Sequence, residues 1–299
     1  MKFYKYQGAG NDFLIADNRD GHITEKDGVL TSVLADGTVW SKSISGICDR
    51  RYGVGADGLM LLDVGAEADD FRMTYFNSDG SGGMMCGNGG RCMVAFARDC
   101  GVEGVLLPDG VRKFVFTAAD GPHEAYILNE NNYEKIIRLR MKDVQSYDRY
   151  DQLSDVMVPS SGYFLDTGTR HYVRFVKGLD EYDIVTEGRQ IRYSARELQP
   201  VGANVNYVEQ AADCLMVRTY EKGVEDETFA CGTGIVASAV AAYVNEFKPY
   251  SEDVEGRVYY PVKAKRDSLS VDFIPGQTSV IATDVFLTGP AAFVAEVLI

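Results

Sequence analysis

Met85-Cys86-Gly87-Asn88-Gly89 is echoed 145 residues later (231 − 86 = 145) by Ala230-Cys231-Gly232-Thr233-Gly234, in a chain of 299 residues. Each copy follows a β-rich run, Phe71 to Asn77 or Leu215 to Tyr220, and then a polar, glycine-containing turn, Ser78 to Gly83 or Glu221 to Asp226. Each is followed by a segment that reads as a helix, Asn88 to Cys100 or Gly232 to Val244. A surface helix carries one apolar stripe, whereas Cys92 to Ala97 and Ile235 to Val244 are apolar almost all round, the mark of burial on most sides. Each half is therefore expected to wrap its strands around one central helix.

The rest of the chain reads mostly as strand. Lys2 to Gln7, Phe13 to Asp17, Leu59 to Val64, Arg112 to Thr117, Ala125 to Leu128 and Lys135 to Met141 supply the first half. Tyr163 to Asp166, Tyr172 to Val176, Val205 to Glu209, Ser268 to Ile274 and Val280 to Leu287 supply the second, and a final strand, Phe293 to Ile299, is free to return to either. Helices are expected near Trp40 to Arg51 and Leu179 to Gln190, and a surface hairpin or insertion over Gly21 to Thr38. The polar stretch Ser146 to Ser154 reads as the connection, giving domains 1–147 and 148–299.

Thirty basic against 44 acidic side chains leave a net charge of −14, the wrong sign for neutralising phosphates, which excludes nucleic acid as a partner. The residues Gly8 to Asp12 interrupt what a secretory signal would need as an apolar core, and no 18-residue apolar run occurs, so no membrane partner and a cytoplasmic location are expected. In a reducing compartment Cys48, Cys86, Cys92, Cys100, Cys214 and Cys231 are expected as free thiols. No zinc spacing occurs and histidines number three, so no metal is expected. Gly8 to Asp12 and Gly53 to Gly58 lack the lysine and the helix context of nucleotide loops.

A cysteine just before the first turn of a buried helix meets backbone N–H groups without intrahelical partners and the positive end of the helix dipole. Such a site favours thiolate. The glycine after each cysteine, Gly87 or Gly232, removes a side chain that would screen those donors, on which a carboxylate could also sit. Two such starts facing one carbon could invert it without a cofactor: one thiolate removes the α-proton and the opposite thiol supplies another. Cys86 and Cys231 are the candidate acid and base. Cys48, Cys92, Cys100 and Cys214 are assigned to the core.

These motifs, taken in order, resemble the diaminopimelate epimerase family. Tyr6 to Phe13 is similar to its opening signature, Cys48 to Gly58 to its next block, and Phe76 to Ser81 with Met85 to Cys92 to its first-cysteine motif. Asn204 to Val208 and Arg218 to Gly234 are similar to the blocks around the second cysteine. The resemblance spans nearly the whole chain. It implies an α/β (α+β) fold of two pseudo-symmetric domains, each a mostly antiparallel sheet around a central buried helix, with the active site in the inter-domain cleft. It implies cofactor-free interconversion of L,L- and meso-diaminopimelate, Cys231 taking the α-proton of the L,L isomer and Cys86 protonating the opposite face. By the same resemblance Asn11, Asn77, Asn204 and Glu221 contact the substrate, Gly87, Asn88, Gly232 and Thr233 lend helix-start donors, and His171 orients groups near the cleft. Thr169 and Lys222 fall at further binding positions. The sequence leaves room for a homodimer.

Three departures from the family pattern stand out. Lys222 stands where arginine is usual, and an ammonium cannot copy the planar fork that grips a carboxylate with two hydrogen bonds. Thr169-Arg170 replaces asparagine-proline, and Arg170 is expected to supply the guanidinium that Lys222 lacks. Gly58 replaces a frequent glutamine. These changes keep open a racemase of another amino or imino acid, such as proline or histidine, on the same fold. A protein in which Cys86 and Cys231 form a switchable disulfide is the reading from another class.

Overall fold

In a computed structural model, residues 1–83, 85–276 and 280–299 are described. The fold is mixed α/β, mostly sheet, with four α-helices among the described residues: α1 (Ile44–Cys48), α2 (Gly87–Asp99), α3 (Ile184–Ser194) and α4 (Gly232–Val244). The chain divides into two compact units, Met1–Leu139 with Gly289–Ile299, and Arg140–Thr288. Among the described residues no helix is long and apolar enough to cross a membrane.

In the first unit the strand order is Lys2–Gly8, Asn11–Asp17, Gly58–Asp63, Phe71–Asn77, Arg112–Ala118, Gly121–Glu130 and Glu134–Arg140. Successive pairings are antiparallel, parallel, antiparallel, parallel, antiparallel and antiparallel. A parallel pair cannot be closed by a hairpin and needs a crossover. The first crossover holds a separate three-stranded sheet (Ile23–Lys26, Val29–Val33, Val39–Ser43) and α1; the second holds α2. Strand Gly58–Asp63 is buried at every residue because both its faces are covered. Leu59 and Leu61 meet Leu30, Ile44 and Ile47 on one side, and α2 packs against this strand and its neighbours.

The second unit repeats the series. Gly162–Asp166, Arg170–Phe175, Asn204–Gln210, Leu215–Glu221, Val258–Lys263, Ser268–Pro275 and the start of Ala282–Leu298 pair in the same succession of senses. Here the crossovers hold α3 and α4. Side chains alternate across a strand, so Tyr172, Val205, Tyr207 and Tyr220 meet Ile184, Ile191 and Leu198 on the α3 side. The alternate residues face α4, which packs against all six complete strands of the series. Its residues Gly234 to Ala242 are buried without a gap.

Both apolar helices lie within a residue of their expected bounds. Two other expectations are corrected, and one left open is resolved. Trp40 to Arg51 is not one helix: Val39–Ser43 is a strand, and Ser43 caps a helix of only five residues by accepting from Gly46 N–H. Ser146 to Ser154 is not free linker, because Tyr147–Tyr150 pairs with Gly162–Asp166, and the units divide at 139/140 rather than at 147/148. The last strand runs from Ala282 to Leu298, and from Gly289 onward belongs to the first unit, where it pairs with Lys2–Gly8.

Gly188 sets how closely α3 approaches its sheet. A Cβ there would lie 2.6 Å from Tyr220 Cβ and 2.8 Å from Tyr220 Cγ, atoms fixed by the strand backbone. Gly188→Ala gains about 1 kcal/mol of helix propensity but incurs an overpacking cost of roughly 1–3 kcal/mol. The variant is expected to unfold at lower urea than the parent chain; a midpoint that holds or rises would show the contact to be soft.

Candidate active site

The two long apolar helices begin alike, and unlike the other two. α1 is capped by Ser43, and α3 by Asp183, whose carboxylate accepts from Thr186 N–H. Cys86 and Cys231 occupy the corresponding N-cap positions of α2 and α4 in extended backbone, and neither makes a side-chain cap bond. Neither helix has an acidic residue in its first turn. The positive helix end is thus left without the usual built-in carboxylate, an arrangement suited to a thiolate or an incoming anion.

In the first unit Cys86 is half-buried, and Gly87 and Asn88 are buried behind it. Asn88 Nδ2 donates to Asn11 Oδ1 at 2.5 Å, and Asn11 Nδ2 donates to Asp57 at 3.0 Å. Asp57 and Asp12 both accept from Arg50, and Asp12 also pairs with Lys5. Arg91, fully buried, donates to Asn88 Oδ1 at 2.8 Å and to the Gly87 carbonyl at 3.3 Å. Asn11, Asn88, Gly87 and Cys86 therefore share one place. Asn77, at the end of its strand, bonds within the following turn, its amide donating to Ser81 Oγ at 2.9 Å.

In the second unit Cys231 Sγ lies 3.5 Å from Thr233 Oγ1. Thr233 Oγ1 is 2.9 Å from both Thr169 Oγ1 and His171 Nε2, and its carbonyl accepts from Thr167 Oγ1. Gly168, at φ +105°, lets the turn bring the threonines on either side of it to the same helix start. His171 is fully buried, and its Nδ1 takes a hydrogen bond from Asn206. Gly234 makes room for this pair, since a Cβ there would stand 2.3 Å from Asn206 Oδ1. Cys231, Gly232, Thr233, Thr169 and His171 are thus brought together. Asn204 bonds the Lys222 N–H and the Arg170 carbonyl, fixing the strand ends, and Glu221 accepts from Thr228 Oγ1. The Lys222 side chain is exposed.

Arg170 does not do what the sequence suggested. It begins a strand in which His171 faces α4, so alternation turns it to the opposite face. There its guanidinium lies over the Phe164 ring, 4.9 Å from the centroid, and donates to the Leu198 carbonyl. Sequence reasoning also gave no role to Asp57, Arg91, Asn206 or Thr219. Asn204 and Asn206 sit two apart in a strand, and two polar residues on one buried face were the available signal.

The remaining thiols are held protonated. Burial pushes Cys48 up to about 11 and Cys92 and Cys100 up to about 12, and raises Cys214 as well. Burial acts the other way on His171, lowering it to about 3. The unfolded chain takes that proton near pH 6.5 while the folded chain refuses it, so between pH 6.5 and pH 3 this residue makes stability fall as pH falls. From pH 7 to pH 5 the loss is about 2 kcal/mol. Urea unfolding of His171→Gln at both pH values is expected to show an acid loss smaller than wild type by that order; equal losses would mean that His171 is protonated in the folded state.

The diaminopimelate epimerase family profile matches residues 3–132 and 163–257. The diaminopimelate epimerase of Flavobacterium psychrophilum is 40% identical over 300 residues, covering 100% of both chains. That of Aquifex aeolicus is 35% identical over 299 residues, covering 99% of this chain and 96% of its own. Among solved structures, a hydroxyproline epimerase from Agrobacterium vitis shares the fold with a TM-score of 0.68 at 13% identity, covering 100% of this chain and 90% of its own. A Bacillus anthracis phenazine biosynthesis protein does so at 0.69 and 16%, covering 100% and 99%. With its profile match over most of the length, and relatives of 35–40% identity from end to end, this chain belongs to the diaminopimelate epimerase family.

Proposed function

We propose that this enzyme interconverts L,L- and meso-diaminopimelate in the cytoplasm, without a cofactor, through Cys86 and Cys231. The observation that carries the reading is the pair of buried helices that each begin on a cysteine without side-chain cap or first-turn acid. In the L,L-to-meso direction the Cys231 thiolate takes the α-proton and the Cys86 thiol gives its proton to the opposite face of the same carbon. The reverse reaction exchanges the roles. The α-proton is weakly acidic, so first-turn N–H groups of Gly87, Asn88, Gly232 and Thr233 must hold the carboxylate as negative charge builds beside it. Asn11, Asn77, Asn204 and Glu221 meet the ammonium and carboxylate groups, with Thr169 and His171 at the second helix start and Lys222 toward the distal end. The matched succession of strand pairings supports two pseudo-symmetric domains, each wrapped around its central helix, with the substrate between them.

In D₂O, reduced protein given L,L-diaminopimelate is expected to form meso product carrying solvent deuterium at the α-carbon. Cys86→Ala and Cys231→Ala each lower that turnover by about a thousandfold or more. Epimerisation at the wild-type rate in either variant would remove that cysteine from the mechanism.

The distal end gives a second test. Lys222→Arg restores a bidentate carboxylate partner and is expected to lower KM about threefold to tenfold with kcat little changed. Arg170→Ala, on the far face of the sheet, should leave KM within about twofold of wild type. A large rise in KM for Arg170→Ala would return that guanidinium to the substrate.

A further inference from the structure

Thr233 stands between Cys231 and His171, 3.5 Å from the Cys231 sulfur and 2.9 Å from His171 Nε2, with Thr169 Oγ1 also at 2.9 Å. A hydroxyl has one hydrogen to give and two lone pairs. Which neighbour receives that hydrogen depends on what the others donate. His171 is neutral when buried, so one ring nitrogen carries a proton and the other accepts.

The choice between them is made on the far side of the ring. Asn206 Nδ2 is 3.0 Å from His171 Nδ1 and 3.4 Å from the Tyr172 carbonyl oxygen, while Asn206 Oδ1 accepts from Thr219 Oγ1 at 2.9 Å. Turning the amide over would set its oxygen against the Tyr172 carbonyl oxygen, which can only accept, whereas the Thr219 hydroxyl can meet either end. The nitrogen end therefore faces the ring, Nδ1 accepts, and the ring proton belongs on Nε2. Asn206 and Thr219 are both buried, with Asn206 fully so, and water does not compete for these bonds.

We propose that Asn206, held by Thr219, is a positioning residue for Cys231: it fixes His171 as the Nε2–H tautomer, so that hydrogen-bond donation runs from the ring through the threonine hydroxyls to the sulfur. Whether Nε2–H gives to Thr233 directly or through Thr169, once Thr169 also donates to Thr233 Oγ1 the Thr233 hydrogen is left to point at Cys231. A hydrogen bond to the charged form stabilises thiolate. The other tautomer would offer Thr233 a lone pair at Nε2 and draw its hydrogen away. The proposal rests on Cys231 being one of the two catalytic thiols.

Two measurements test it, and neither needs turnover, so a failure of the epimerase reading would show in deuterium exchange and not here. Wild-type protein labelled with ¹⁵N has three histidines, His22, His123 and His171, and His171→Gln identifies the signal of interest. Long-range ¹H–¹⁵N spectra between pH 8 and pH 5 are expected to show Nε2 protonated and Nδ1 bare. A proton on Nδ1, or an even mixture, overturns the proposal without any variant at Asn206. The second measurement follows iodoacetamide alkylation peptide by peptide from pH 5 to pH 10. Asn206→Leu is expected to raise the Cys231 midpoint by about one pH unit and leave that of Cys86 in place. Thr233→Val should raise it as far, and the double variant no further than Thr233→Val alone. An unmoved Cys231 midpoint in Asn206→Leu, additive shifts in the double variant, or a shift of both thiols together would each sink it.

Discussion

The first turn of an α-helix cannot bond its own amide hydrogens, and a buried helix must have them answered from elsewhere. In α1 and α3 a serine and an aspartate do so, as in most helices. In α2 and α4 the cap position is given to a cysteine that makes no cap bond. Much of the surrounding composition follows from that choice. The first turns are nearly bare of side chains, Gly87, Gly89 and Gly90 in one and Gly232 and Gly234 in the other, and at Gly90 and Gly234 the space is taken by Met85 with Leu139 and by Asn206 with His171. Glycine weakens a helix by up to about 1 kcal/mol per residue. Here the loss is offset by burying almost everything that follows, from Cys92 to Ala97 and from Ile235 to Ala242.

The two helix starts are supported by different electrostatics. Around α2 the support is ionic: Asn11 and Asn88 are held in a line that ends on Asp57, Arg50 and Asp12 on one side and on the buried Arg91 on the other. Around α4 it is neutral, built from threonine hydroxyls, an asparagine and an uncharged imidazole. Arg50 is exposed enough for salt to weaken its pairs, whereas His171 and Asn206 are sealed from solvent. A neutral network keeps a fixed direction of donation only while every member stays uncharged, and the deep burial of His171 secures that.

Most of the fold was legible because the chain contains its own control: one pattern of strand, polar turn, cysteine, glycine and apolar helix appears twice. Both helices were placed to within a residue. The misreadings came where local pattern competes with pairing partners distant in sequence. Trp40 to Ser43 has residues acceptable in a helix, but Val29–Val33 supplies a strand edge for it. Tyr147 to Tyr150 is polar enough for a linker, yet Gly162–Asp166 offers it a partner. At the site, the residues nearest the sulfurs could be named because they adjoin the cysteines in sequence or lie in matching blocks. Asp57, Asn206 and Thr219 escaped because their roles pass through another side chain, and spacing does not reveal which way an amide points.

Arg170 shows the limit of compensating one substitution by another nearby. Its place beside His171 in sequence suggested a shared target, but consecutive residues of a strand face opposite sides. The position is better understood from the α3 side, where the guanidinium covers Phe164 and satisfies the Leu198 carbonyl. Arg170 therefore adds no guanidinium beside Lys222. The Lys222 backbone is fixed by Asn204 while its side chain is exposed, which joins a rigid anchor to a flexible, strongly hydrated charge. Such a group can attract an anion without dictating its angle. Carboxylate and α-carbon are common to all amino acids, so under the proposed reading discrimination has to come from the groups that meet the distal end, and a lysine there contributes affinity more than shape.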